Sequence, residues 1–79
     1  MSETLVVVDP AILGDEPDAE MGAWLRPDGA PVEGGEVIAE INAAKATVEV
    51  AAPVAGTLRH LVEAGALLTA GTPIAAIAH

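Results

Sequence analysis

Gly29-Ala30-Pro31-Val32-Glu33-Gly34-Gly35-Glu36-Val37-Ile38-Ala39-Glu40-Ile41 has a counterpart later in the chain, Gly65-Ala66-Leu67-Leu68-Thr69-Ala70-Gly71-Thr72-Pro73-Ile74-Ala75-Ala76-Ile77. Laid over each other without a gap, the segments align Gly29 with Gly65, Gly35 with Gly71, Ile38 with Ile74, Ala39 with Ala75 and Ile41 with Ile77. Each half reads as a strand, a turn ending in glycine, a short apolar segment, a second glycine turn and another strand. Neither half is large enough to bury its apolar face alone, so the repeat predicts two small antiparallel sheets packed with quasi-two-fold symmetry.

Outward from the repeat, the remaining apolar runs are also short and bounded by Gly or Pro. Residues 5–8 form a mostly β-branched run ended by Asp9-Pro10, where proline removes a ladder donor. Residues 11–20 hold Gly14, Pro17 and four acids and read as a solvated loop. Strands are expected over 21–26, 37–41, 47–50, 57–62 and 74–78, with Pro27-Asp28-Gly29 as a strong turn. No segment of helical length escapes these breakers. The fold class is therefore all-β, a flattened barrel or sandwich, and residues 1–79 are expected to form a single domain.

Composition narrows the function. Hydrophobic residues make up 52% of the chain, yet Trp24 is the only aromatic, so the core must be built from small branched side chains that suit strands. Twelve acids against three bases give a formal net charge of −9, which argues against nucleic acid or an anionic membrane as partner. There is no apolar run of membrane-spanning length, and Met1-Ser2-Glu3-Thr4 lacks the basic start of a secretory signal, so a cytoplasmic location is expected. His60 and His79 have no neighbours at metal-ligand spacing and are expected to be solvated or half-buried. Ser2, the only serine, falls at an expected frayed end, and no nucleophilic catalytic set is present.

The two copies differ after their last shared residue. The second ends at Ala78-His79, whereas the first runs through Asn42-Ala43-Ala44-Lys45-Ala46 into Thr47-Val48-Glu49-Val50. Both flanks alternate as a half-buried antiparallel pair, with Glu40 and Glu49 on the wet face. A turn over residues 43–46 puts Ala44 and Lys45 at its centre, where a type I geometry accepts both. A hairpin lysine is usually ordinary surface decoration. Lys45, however, is the only lysine in the chain and sits at the point of symmetry between the repeats. A long covalent cofactor arm needs an exposed amine, a rigid support and no competing amine, and this position meets all three.

Residues 40–58, with Lys45 in its hairpin and Pro53-Val54-Ala55-Gly56 behind it, resemble the lysine hairpin of the lipoyl domains of 2-oxo acid dehydrogenase acyltransferases. Leu13-Gly14, Trp24, Asp28-Gly29, Val32, Val62-Glu63-Ala64-Gly65, Gly71 and Ile74 extend the likeness over essentially the whole chain. The resemblance implies a barrel-sandwich hybrid and a non-catalytic carrier with lipoate bound to Lys45. It also implies as partners a lipoate ligase or lipoyl transferase, a thiamine-dependent decarboxylase, an acyltransferase core and a dihydrolipoamide dehydrogenase. Asn42, Ala43 and Ala44 stand where that family usually has Glu, Thr and Asp, and the acid before the lysine is tied to partner recognition there. Biotin-carrier relatives place methionine on both sides of the lysine; Ala44 and Ala46 point away from biotin. A biotin carboxyl carrier and an unmodified binding module of the same fold are the alternative readings. Met1 and an end at His79 without a Pro/Ala linker fit a free-standing carrier.

Overall fold

A computed structural model describes residues 2–44 and 46–79. Eight strands and one helical turn follow in the order β1 (Glu3–Val7), α1 (Pro10–Leu13), β2 (Ala19–Trp24), β3 (Pro31–Val32), β4 (Val37–Asn42), β5 (Thr47–Ala51), β6 (Gly56–His60), β7 (Leu67–Leu68) and β8 (Pro73–Ala78). The first sheet has the strand order β1-β8-β6-β3 and the second β5-β4-β2-β7, and every pairing within them is antiparallel. The expected flattened two-sheet sandwich is therefore present, without ladder bonds closing it into a barrel among the described residues.

The repeat becomes a repeat of hydrogen bonds. Leu25 N–H donates to the Ile38 carbonyl and Leu61 N–H to that of Ile74, both at 2.9 Å. Glu36 to Glu33 and Thr72 to Thr69 are both 3.1 Å, as are Ala30 to Pro27 and Ala66 to Glu63. Gly29 and Gly65 have φ of 86° and 91°, and Gly35 and Gly71 have φ of 88° and 81°. Those left-handed positions explain why the aligned glycines recur, since a Cβ there would be strained.

Between the sheets lies a single core cluster, with Val8, Met21, Ile38, Ile41, Leu58, Leu68, Ile74 and Ile77 fully buried. No polar or charged residue is buried with them among the described residues. Burying a branched aliphatic side chain of this kind stabilises by about 1.5–3 kcal/mol. The aligned isoleucines thus supply matched contributions from each half. Trp24 caps one edge of the core and donates from Nε1 to the Val62 carbonyl at 3.1 Å, so its polar atom is satisfied.

Several boundaries differ from the sequence reading. β1 begins at Glu3 and ends at Val7, β2 begins at Ala19, and β6 stops at His60. The expected loop over 11–20 opens with the helical turn α1. Asp9 caps it, its carboxylate accepting from Ala11 N–H at 2.9 Å, and Pro10 occupies the first turn. Ser2 is not frayed: its N–H donates to the His79 carbonyl and its carbonyl accepts from His79 N–H, closing β1 against β8.

Candidate attachment site

β4 and β5 form the hairpin that the sequence places around Lys45. Asn42 pairs with Thr47 as the last ladder pair, and beyond it Ala43 N–H donates to the Ala46 carbonyl at 2.9 Å. That leaves residues 44 and 45 as a two-residue connection. Ala44 has negative φ, as the expected turn requires. Lys45 itself lies outside the described residues.

What anchors this turn is the alternation of β4, which buries Ile41 fully and turns Asn42 outward. β5 is less buried, with Val48 and Val50 half-buried and Thr47 and Glu49 exposed. Glu40 stands directly opposite Glu49 on the outer face, as the alternation predicts. Like charges directly opposite each other are mildly destabilising, so an acidic pair here gains nothing for the fold.

A cleft of about 190 Å³ opens beside the turn. One wall is Ala43, Ala44, Ala46 and Val48 from the hairpin, and the other is α1 with Gly14, Asp15 and Glu16. Leu13, buried, pins α1 to the core, while Ile12 packs against it half-buried. The quasi-equivalent connection in the other half, residues 53–55, is much shorter than residues 9–18. The extra length of the first connection is what builds the wall. Small alanines on the hairpin side leave the cleft open, with Asp15 and Glu16 on the facing wall.

Electrostatically, the described cations lie elsewhere. Arg26 Nε is 3.2 Å from a Glu36 carboxylate oxygen and Arg59 is 3.5 Å from Glu3. Asp15, Glu16, Asp18, Glu20, Glu40 and Glu49 have no ion-pair partner among the described residues. The histidines are as expected in burial: His60 half-buried, His79 exposed. Their contacts were not legible. His79 Nε2 is 2.7 Å from Thr4 Oγ1. His60 stacks on Trp24 with ring centroids 3.7 Å apart and bonds the Arg26 carbonyl through Nε2 at 2.9 Å. The repeat alignment itself was the missed signal, because it places Trp24 opposite His60.

A family model described as a biotin-requiring enzyme, for the biotinyl and lipoyl domains, matches residues 7–77. The chain belongs to the biotinyl/lipoyl carrier family. Domains of this family carry lipoate or biotin covalently on a lysine, and they are carriers rather than catalysts. They work with partner enzymes and with the ligases that attach the cofactor. Comparison with curated proteins gives no match. Among the described residues, no helix is long and apolar enough to cross a membrane.

Proposed function

We propose that this biotinyl/lipoyl domain is a lipoyl carrier, with lipoate joined to Lys45 as an amide, in a 2-oxo acid dehydrogenase-type complex of the cytoplasm. The observation that carries the site is arithmetic: the family uses a lysine, and this chain has one. Residues 1–79 then act as one carrier domain. The choice of lipoate rests on Ala44 and Ala46, where the resemblance to biotin carriers would require methionines.

The surroundings fit a covalent arm. A hairpin fixed by a buried Ile41 supplies a rigid support, and alanines at 43, 44 and 46 leave room for the pocket of an attachment enzyme. Amide formation removes the one lysine charge and takes the formal net charge from −9 to −10. When bound, lipoate supplies a dithiolane that carries acyl groups and electrons between enzymes. The protein contributes presentation and tethering, which keeps the carried group at high effective concentration near each partner active site. A ligase or transferase would load the arm, and a thiamine-dependent decarboxylase, an acyltransferase and dihydrolipoamide dehydrogenase would use it.

Intact mass of the protein purified from its native host tests the reading. The expected result is a lipoyl increment that disappears in Lys45→Arg while the thermal midpoint is unchanged, since the substitution alters none of the residues of the described core. A biotinyl increment would move the chain to the carboxyl carriers. Bare lysine under lipoate-sufficient conditions would make it an unmodified binding module.

A further inference from the structure

The quasi-two-fold symmetry breaks at one residue beside the lysine hairpin. Met21 and Leu58 are equivalent, each donating its N–H across to an alanine carbonyl, Ala66 and Ala30 respectively. Trp24 and His60 are also equivalent, yet two residues separate the first pair's members where one separates the second's. The additional residue belongs to a bulge in β2: Met21 pairs with Ile41 and Ala23 with Glu40, so Gly22 has no partner of its own. The equivalent stretch of β6 pairs with β8 without interruption.

Gly22 is the residue type that this bulge requires. A Cβ there would lie 2.9 Å from the Glu40 carbonyl oxygen and 3.0 Å from Asn42 Oδ1. The Asn42 side chain therefore rests over the space that a Cβ at position 22 would fill. From there its Oδ1 accepts from Thr47 Oγ1 at 3.2 Å. One side chain on β4 thus spans from the bulge in β2 to the first residue of β5. It does so at the last ladder pair before the turn, and in the other half the same place is held by Ala78 opposite Glu3, with no such bond.

We propose that Asn42, seated on Gly22 and bonded to Thr47, is a positioning residue for cofactor attachment, holding the base of the 43–46 turn in the form that the attachment enzyme binds. This rests on the carrier reading of Lys45. Asn42 acts through its seat on Gly22 and its bond to Thr47, and so through the turn rather than on the reacting group. It raises the fraction of domain whose turn is ready to dock, and an enzyme that selects that form sees a lower apparent KM with kcat unaltered.

Attachment kinetics with a lipoate ligase and the whole unmodified domain provide the test. Asn42→Ala and Thr47→Val each raise KM for the domain about fivefold, the scale of one hydrogen bond, with kcat unchanged. The double variant is no worse than either single one, while Thr47→Ser, which keeps the hydroxyl, restores the wild-type KM. Additive effects, or a KM that follows the thermal midpoint rather than the hydroxyl, would overturn the proposal. Amide exchange gives a readout free of any cofactor. The Ala43 N–H, bonded to the Ala46 carbonyl, exchanges about fivefold faster in Asn42→Ala and Thr47→Val and at the wild-type rate in Thr47→Ser. Unchanged exchange in the first two refutes the clasp. A wild-type domain that takes up no lipoate but shows the exchange pattern refutes the carrier reading and the attachment role while leaving the clasp as a structural fact.

Discussion

Across the outer face of the second sheet one cross-strand row runs Ala23, Glu40, Glu49, and the equivalent row of the first sheet runs Arg59, Ala76, Leu5. The next rows are Glu20, Asn42, Thr47 against Thr57, Ala78, Glu3. Inside, the two sheets present matched aliphatics: Ile38 and Ile74, Ile41 and Ile77. Outside they have nothing in common. The second sheet sets acid against acid beside the lysine hairpin, while the first leaves Leu5 and Val7 half-exposed around an Arg59–Glu3 pair. Packing density constrains inward positions to shape and volume, whereas outward positions are free to differ with whatever each face meets. The difference therefore separates what the fold needs from what the two faces do.

The largest break comes from adding one carbon where the halves approach unequally. Gly56 in β6 is equivalent to Ala19 in β2, since each pairs opposite an equivalent aliphatic residue, Val32 and Leu68. A Cβ at Gly56 would run into the backbone carbonyl of Ala78 and the Ile77 side chain. Gly56→Ala is expected to cost roughly 3 kcal/mol, because backbone on both sides must move. For a domain of this size that lowers the thermal midpoint by on the order of 15 °C. Ala19→Gly, the converse change, should cost about 1 kcal/mol through backbone entropy and a lost buried methyl. Equal losses in calorimetry would mean that the two positions are not constrained differently.

A second break acts across the symmetry axis. Trp24 and His60 are equivalent positions stacked on each other, and each reaches a carbonyl of the other half, the imidazole that of Arg26 and the indole that of Val62. Trp24→Phe keeps an aromatic ring against His60 but leaves that carbonyl unpaired, and it is expected to cost about 1–2 kcal/mol in denaturant unfolding. A loss much below that would show that the stack, rather than the hydrogen bond, ties the halves together.

The repeat made the symmetry and the lysine hairpin legible because left-handed turns select glycine and half-buried strands alternate, and both leave marks in the residue order. Other features leave weaker marks. Asp9-Pro10 ends a strand, but the same pair caps and starts α1, and which role dominates depends on Leu13 finding the core. β3 and β7 are two residues long, too short to show a period. The bulge at Gly22 depends on register, which a single glycine among alternating residues does not fix. Ser2 is ordered by its pairing with His79, a contact between the ends of the described chain that no local pattern encodes.

The smallest expected effect bears on the outer faces themselves. If Glu40 opposite Glu49 is retained for the surface beside the hairpin rather than for stability, relieving the repulsion should stabilise the domain. Glu49→Arg converts a like-charge cross-strand pair into an opposite-charge one and leaves Lys45 the only lysine. A gain of about 0.5 kcal/mol is expected at low salt. It should shrink towards zero in 1 M salt, where screening acts over about 3 Å. Leu5→Glu, at the equivalent place on the first sheet, lands in a row with Arg59 instead of a carboxylate, and its effect should stay within about 0.5 kcal/mol of zero. A salt-independent gain at Glu49 would point to strand propensity instead of charge. A salt-sensitive one, with no counterpart at Leu5, shows that the second face bears an electrostatic cost that the fold does not require, as expected of a surface shaped by what docks beside the attachment turn.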